Sequence, residues 1–163
     1  EPNSKRDLPS LYSRMSRAAP QMRAAARSLI AYETGGDMFR NTDVLAAFSA
    51  CGKLRPHLLT LMGNTGFRSL MSRALVTAGA EVAWLRAVHI SKDGSLEGLA
   101  DLQPQVNQDQ FNEGSIELLA QILGSLVAFV GEDLTLRQLR QVWPRLPLHN
   151  LSFKSGVKDE KEK

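Results

Sequence analysis

From Ile116 to Val130 the chain reads Ile-Glu-Leu-Leu-Ala-Gln-Ile-Leu-Gly-Ser-Leu-Val-Ala-Phe-Val, fifteen residues with a single charge. A helix that is apolar on nearly every side has to be surrounded by other apolar surface. A bilayer span takes about 20 apolar residues, and Glu117 and Gln121 interrupt this shorter stretch. The expected environment is therefore the middle of a helical bundle. The rest of the chain must then supply amphipathic faces to cover it. At 163 residues the chain is one domain by length, and a domain of that size buries roughly 70% of its unfolded surface without a metal or a disulfide to help.

Helical periodicity recurs along most of the chain. A short helix is predicted over about 9–18, with Pro9 tolerable in its first turn. A second follows over about 20–33, with Met22, Ala26, Leu29 and Ile30 inward and Gly35-Gly36 as its stop. Thr42 or Asp43 can cap a third. Gly52 and Pro56 interrupt it, giving two pieces (43–51 and 54–62) or one kinked helix, and Gly63 stands where a C-terminal glycine belongs. The clearest pattern covers 66–88, where Phe67, Leu70, Met71, Ala74, Leu75, Ala78, Val82, Leu85 and Val88 recur every three or four residues. At 1.5 Å per residue such a helix is roughly 35 Å long and crosses the whole domain.

Two further helix starts are expected from capping chemistry. Asn107 with Gln110 forms a capping-box analogue, and Val106 and Phe111 are placed as its hydrophobic staple. Thr135 with Gln138, flanked by Leu134 and Leu139, repeats the pattern. Helices are thus predicted at about 108–130 and 136–143, with Gly131 between them and Pro144 ending the second. Over 89–105 the turn residues Lys92-Asp93-Gly94-Ser95 suggest either a small hairpin near 88–97 or a loop followed by a short helix on Leu96, Leu99 and Leu102.

The expected fold is all-α: a single-domain bundle of six or seven helices around two long central ones, 66–88 and 108–130. Ala120, Gly124 and Ala128 make a small-residue strip on one, Ala74 and Ala78 on the other, and the two are expected to pack together along these strips. Residues 1–8 are expected to form a flexible tail, 9–153 the bundle, and 154–163 a disordered charged tail too polar to bury area.

Charge is dealt unevenly. Residues 1–90 hold twelve Lys/Arg against six Asp/Glu, and residues 91–163 hold eight against eleven. Within 10–32 the charges are Arg14, Arg17, Arg23 and Arg27, with no acid. Within 93–117 they are Asp93, Glu97, Asp101, Asp109, Glu113 and Glu117, with no base. Either the two stretches attract each other inside the fold, or Arg14, Arg17, Arg23 and Arg27 form a basic docking surface for an acidic protein partner. A homodimer is the other expected partnership, because helices that pack within one chain also pack between chains.

Signatures of chemistry are sparse. One cysteine, Cys51, excludes an internal disulfide and fits a reducing, cytoplasmic setting. His57, His89 and His149 lack metal-ligand spacing. Cys51-Gly52-Lys53-Leu54 lacks the first glycine and the hydroxyl of a phosphate loop. Asp93-Gly-Ser-Leu-Glu-Gly98 opens like a calcium loop, but Pro104 stands where the closing glutamate is needed, so a plain turn is expected. Glu132-Asp133 suit the N-terminal dipole of the helix after them. Asn150-Leu-Ser152 matches a glycosylation sequon, which matters only in a secreted protein. No metal, no cofactor and no catalytic residues are expected.

Two stretches, Lys53–Ile90 and Ile116–Pro144, resemble short bacterial helical proteins. The Gly131-Glu-Asp-Leu-Thr-Leu-Arg137 turn and the Val142-Trp-Pro144 ending carry that resemblance, which covers about two-fifths of the chain. It implies a bacterial cytosolic protein and no activity. The expected function is a non-enzymatic protein-interaction or regulatory module, with nucleic-acid binding through the arginine-rich N-terminal helices and a membrane-active bundle as the alternatives.

Overall fold

The computed structural model describes residues 19–34, 42–102 and 105–146. The helix expected at 9–18 and both expected tails lie outside them. Among the described residues there are four helices rather than six or seven: α1 (Pro20–Thr34), α2 (Thr42–Glu81), α3 (Gln108–Val130) and α4 (Glu132–Val142). One-turn segments and a two-residue β-ladder join α2 to α3. The all-α class stands, and the helix count is corrected: the expected pieces 43–51 and 54–62 form one continuous arm of α2.

Two of the expected breaks in α2 do not occur. The helix runs through Gly52 and Pro56, although the proline deletes the N–H that would bond the carbonyl of residue 52. The break comes at Gly63, whose backbone (φ 78°, ψ 171°) is left-handed and non-helical, leaving arms 42–62 and 64–81. The second arm stops at Glu81, short of the expected 88. Val82 is extended, and Ala83–Ala87 form a 3-10 turn. That turn drives Leu85 into the core, while the Arg86 guanidinium folds back to donate to the Gly79 carbonyl at 3.0 Å.

Both readings of 89–105 are realised in miniature. Strands β1 (His89–Ile90) and β2 (Leu96–Glu97) pair antiparallel, with His89 opposite Glu97 and Ile90 opposite Leu96, and a single helical turn, Leu99–Leu102, follows. The hairpin turn lies against α2 on both sides of its bend. Arg55 on the first arm bonds the Asp93 carbonyl at 2.9 Å, and a Cβ on Gly94 would stand 2.5 Å from the Phe67 ring on the second.

The start of α3 is the one its sequence announces. Gln110 N–H donates to the Asn107 side chain at 2.8 Å, and Asn107 N–H donates to the Gln110 side chain at 3.2 Å. The expected box at Thr135 is corrected. Gly131, at φ 93°, lets α4 begin directly at Glu132, so Thr135 lies inside the helix with its hydroxyl on the Gly131 carbonyl at 2.7 Å.

One hydrophobic core runs from Met22 to Leu146 through every helix. Leu118, Leu119, Ile122, Leu123 and Leu126 of α3 lie at its centre, each contributing roughly 2 kcal/mol by burial. The long helices pack together more extensively than any other pair, as expected of 66–88 and 108–130. The expected seam is only partly right. Ala74, Ala78 and Ala120 are fully buried, but the atom nearest to Gly124 belongs to Met22 of α1, and Ala128 is exposed. At Gly114, by contrast, α3 is approached closely, since a Cβ there would meet the Trp84 indole at 2.4 Å. That indole stacks edge-on against Phe111, centroids 4.8 Å apart, and donates to the Gln110 carbonyl at 3.0 Å.

Candidate functional site

Among the described residues, four ion pairs join the two charge-biased halves or close the core's rim. Arg23 on α1 bonds both Glu117 and Glu113 of α3, the latter at 2.6 Å. Lys53 reaches Glu33 at 2.8 Å, and the same carboxylate accepts the Trp143 indole N–H. Arg55 reaches the Asp93 carboxylate at 3.5 Å. Of the four arginines expected to dock a partner, Arg23 is therefore turned inward onto α3, Arg27 is exposed one turn later on α1, and Arg14 and Arg17 lie outside the described residues.

Beside the Arg23 pair an open trough of about 620 Å³ runs between the second arm of α2 and α3. Gly66, Ser69, Leu70, Arg73 and Thr77 form one wall, spaced by three and four along the helix. Gln121, Gly124, Ser125 and Ala128 form the floor, and Phe129 stands at the rim. Phe129 is 67% exposed, although it belongs to the most apolar helix in the chain. On the outer face of α2, Val76 is 74% exposed. Arg73 is the only charged side chain among the described lining residues. It has no acidic partner among the described residues, and α2 carries no Asp or Glu from 44 to 80.

The trough was missed from sequence, yet its signal was present. The spacing of Ala120, Gly124 and Ala128 predicts a seam between helices. Because Ser125 and Phe129 adjoin it, the C-terminal half of that strip opens outward and becomes the floor.

Chemistry elsewhere is limited. Cys51 borders a smaller cavity of about 240 Å³ with Arg55, Phe67 and Met71. Burial pushes its thiol up to about 12, against a lesser lowering by a backbone hydrogen bond, so it is a poor nucleophile at neutral pH. In the hairpin turn, the hydroxyls of Ser91 and Ser95 donate to the Asp93 carboxylate, with the Ser95 N–H at 3.0 Å. These bonds, the Ser91 hydroxyl foremost, hold Asp93 below the usual carboxylate range. Its oxygens thus serve the turn. His57 Nδ1 pairs with the Gln141 amide oxygen at 3.1 Å, His89 lies on β1, and His149 lies outside the described residues. No group of three metal-ligating side chains is found among the described residues. Glu132 and Asp133 occupy the first turn of α4, where its dipole favours them. The sequon at Asn150 lies outside the described residues.

By length and composition Gln108–Val130 is long and apolar enough to cross a membrane; within the fold 56% of its most apolar window is buried. No protein-family model, curated protein or solved structure matches the chain.

Proposed function

We propose that the protein is a non-enzymatic interaction module of the cytoplasm, and that the trough between α2 and α3 is its docking surface. The observation that carries this reading is the exposed Phe129 beside a floor of small residues. Grooves of this kind accept the apolar face of an amphipathic helix. The lining suits docking better than catalysis, since its described residues include hydroxyls, one amide and Arg73 but no carboxylate, imidazole or thiol to move a proton. Arg73 adds polarity to the choice of partner. An incoming helix with an acidic residue near mid-trough gains a charge-assisted contact, and a basic one is repelled.

A photo-crosslinking amino acid in place of Phe129 tests this in cells, with the same group at exposed Arg137 on α4 as the control. Phe129 is expected to capture a distinct protein in a complex that Arg73→Glu abolishes. The same products from both positions, or adducts to a second copy of the chain alone, would overturn the reading.

A further inference from the structure

We infer that the same trough is a ligand site for a slim amphipathic monocarboxylate of the fatty-acid class, held with its head on Arg73 and its chain laid toward Phe129. The binding chemistry stands apart from the docking reading. Only its consequence, that the ligand and a docked helix exclude each other, rests on that reading.

The wall from Gly66 to Thr77 is about 16 Å long. A volume of about 620 Å³ spread over that length is a mean section of about 40 Å². A helix with its side chains is about 10 Å across, roughly twice that section. A docked helix therefore puts only side chains into the trough, whereas an extended aliphatic chain enters whole. Glycine at 66 and 124 and alanine at 128 leave its path clear, and Leu70 and Phe129 give it apolar contact.

The fold sets the direction. Trp84, just past the end of α2, donates to the Gln110 carbonyl near the start of α3, so the second arm and α3 run antiparallel. Phe129 thus stands at the Gly66 end, and Arg73 lies seven residues from Gly66, about 10 Å along the wall. Thr77, on the far side of Arg73, already has its hydroxyl on the Arg73 carbonyl at 2.8 Å. Ser69 lies one turn from Arg73 toward Phe129, and Ser125 lies on the floor.

One guanidinium and two hydroxyls are therefore available to a single carboxylate, which the planar guanidinium meets with two parallel hydrogen bonds. The lone cation matches a monoanion. A phosphate head would bring a second negative charge, and no other base lines the trough among the described residues.

The probe is octanoate, whose extended chain covers about the 10 Å from Arg73 to the Phe129 end. Titrated into the full-length chain by isothermal calorimetry, it is expected to bind saturably and about tenfold more tightly than octan-1-ol, which has the same chain and no charge. Arg73→Gln is expected to remove that advantage and leave octan-1-ol unchanged. Arg68→Gln, at an arginine outside the trough, is expected to change neither. Ala128→Trp, which fills the path of the chain, is expected to weaken both at least tenfold. All three positions are exposed, so the variants keep the fold, and thermal unfolding checks this. Equal affinity for octanoate and octan-1-ol, equal loss from Arg68→Gln and Arg73→Gln, binding that survives Ala128→Trp, or no saturable binding would overturn the proposal.

A second measurement separates this from the docking reading. Saturating octanoate is expected to lower partner capture at position 129 at least fivefold in lysate. Capture by a protein that binds no octanoate sinks the ligand site and leaves docking standing. Arg73-dependent octanoate binding with no capture sinks docking and leaves the ligand site. Capture unchanged at saturating octanoate overturns the mutual exclusion.

Discussion

Arg23 and Glu117 are 94 residues apart in the chain and bonded to each other where α1 crosses α3. Glu117 is 1% exposed and Arg23 13%. Gln121 donates to the second Glu117 oxygen at 2.8 Å, and Glu113 holds the other side of the guanidinium. This junction answers one question raised by the charge pattern. At least one arginine of the basic stretch is satisfied by the acidic stretch within the fold.

Breaking a buried pair from one side strands a charge, whereas replacing both partners removes the desolvation cost together with the attraction. Glu117→Leu is therefore expected to cost about 3 kcal/mol, the low end of the range for such losses because Arg23 keeps Glu113. Arg23→Met added to it should recover most of that loss. Urea unfolding of the two single variants and the double reads the cycle. A single-variant cost below about 1 kcal/mol would show the pair to be behaving as a surface one.

The turn at Gly94 bridges the two arms of α2, and its tolerance can be set against Gly131. Both have φ near +90°, but a Cβ at Gly131 meets nothing within 4 Å, while at Gly94 it meets the buried Phe67 ring. Gly131→Ala should cost about 1 kcal/mol from the left-handed backbone alone. Gly94→Ala should cost about 3 kcal/mol, backbone penalty and overpacking together. Thermal unfolding of both reads the difference, and equal losses would mean that the turn does not press on Phe67.

Cys51 makes stability fall in alkali. Its folded thiol is raised from 9.0 to about 12, so above pH 9 the unfolded chain releases a proton that the folded chain keeps. Stability contributed by the neutral thiol is fully present below pH 9 and is lost between pH 9 and 12, at a limiting slope of about 1.4 kcal/mol per unit. Between pH 8 and 10.5 the wild type should lose about 2 kcal/mol more than Cys51→Ala. Parallel denaturant curves for the two proteins would show the thiol to be as open to solvent as an ordinary one.

Which features were legible from the sequence followed from how local their physics is. The Asn107–Gln110 box needs only four residues and a preceding extended chain, and both of its bonds are made. Thr135–Gln138 uses the same letters and fails as a cap, because α4 already begins at Glu132 and leaves no extended residue for Thr135 to be. Pro56 does not stop α2, since Leu54 and Leu58 are buried on both sides of it and hold the helix continuous. The 66–88 pattern overran because Val82, Leu85 and Val88 keep the helical spacing. A 3-10 turn buries Leu85 and Val88 equally well.

The trough, with the exposed Phe129 at its edge, was outside what periodicity can express. Small residues four apart announce a close approach, not which neighbour makes it. Met22 takes part of the Gly124 strip, and the rest is left open toward Phe129.

By itself the sequence determined an all-α chain, an apolar central helix with a capped start at Asn107, glycine breaks at Gly63 and Gly131, and a charge imbalance between its halves. These depend on spacing, caps and composition, which act over a few residues at a time. Only the tertiary structure decided that the first arm of α2 runs unbroken through Gly52 and Pro56, that Arg23 belongs to Glu117, and that half of a small-residue strip lines open space. Each of these depends on contacts between segments tens of residues apart, whose energies are set by relative placement and not by local order along the chain.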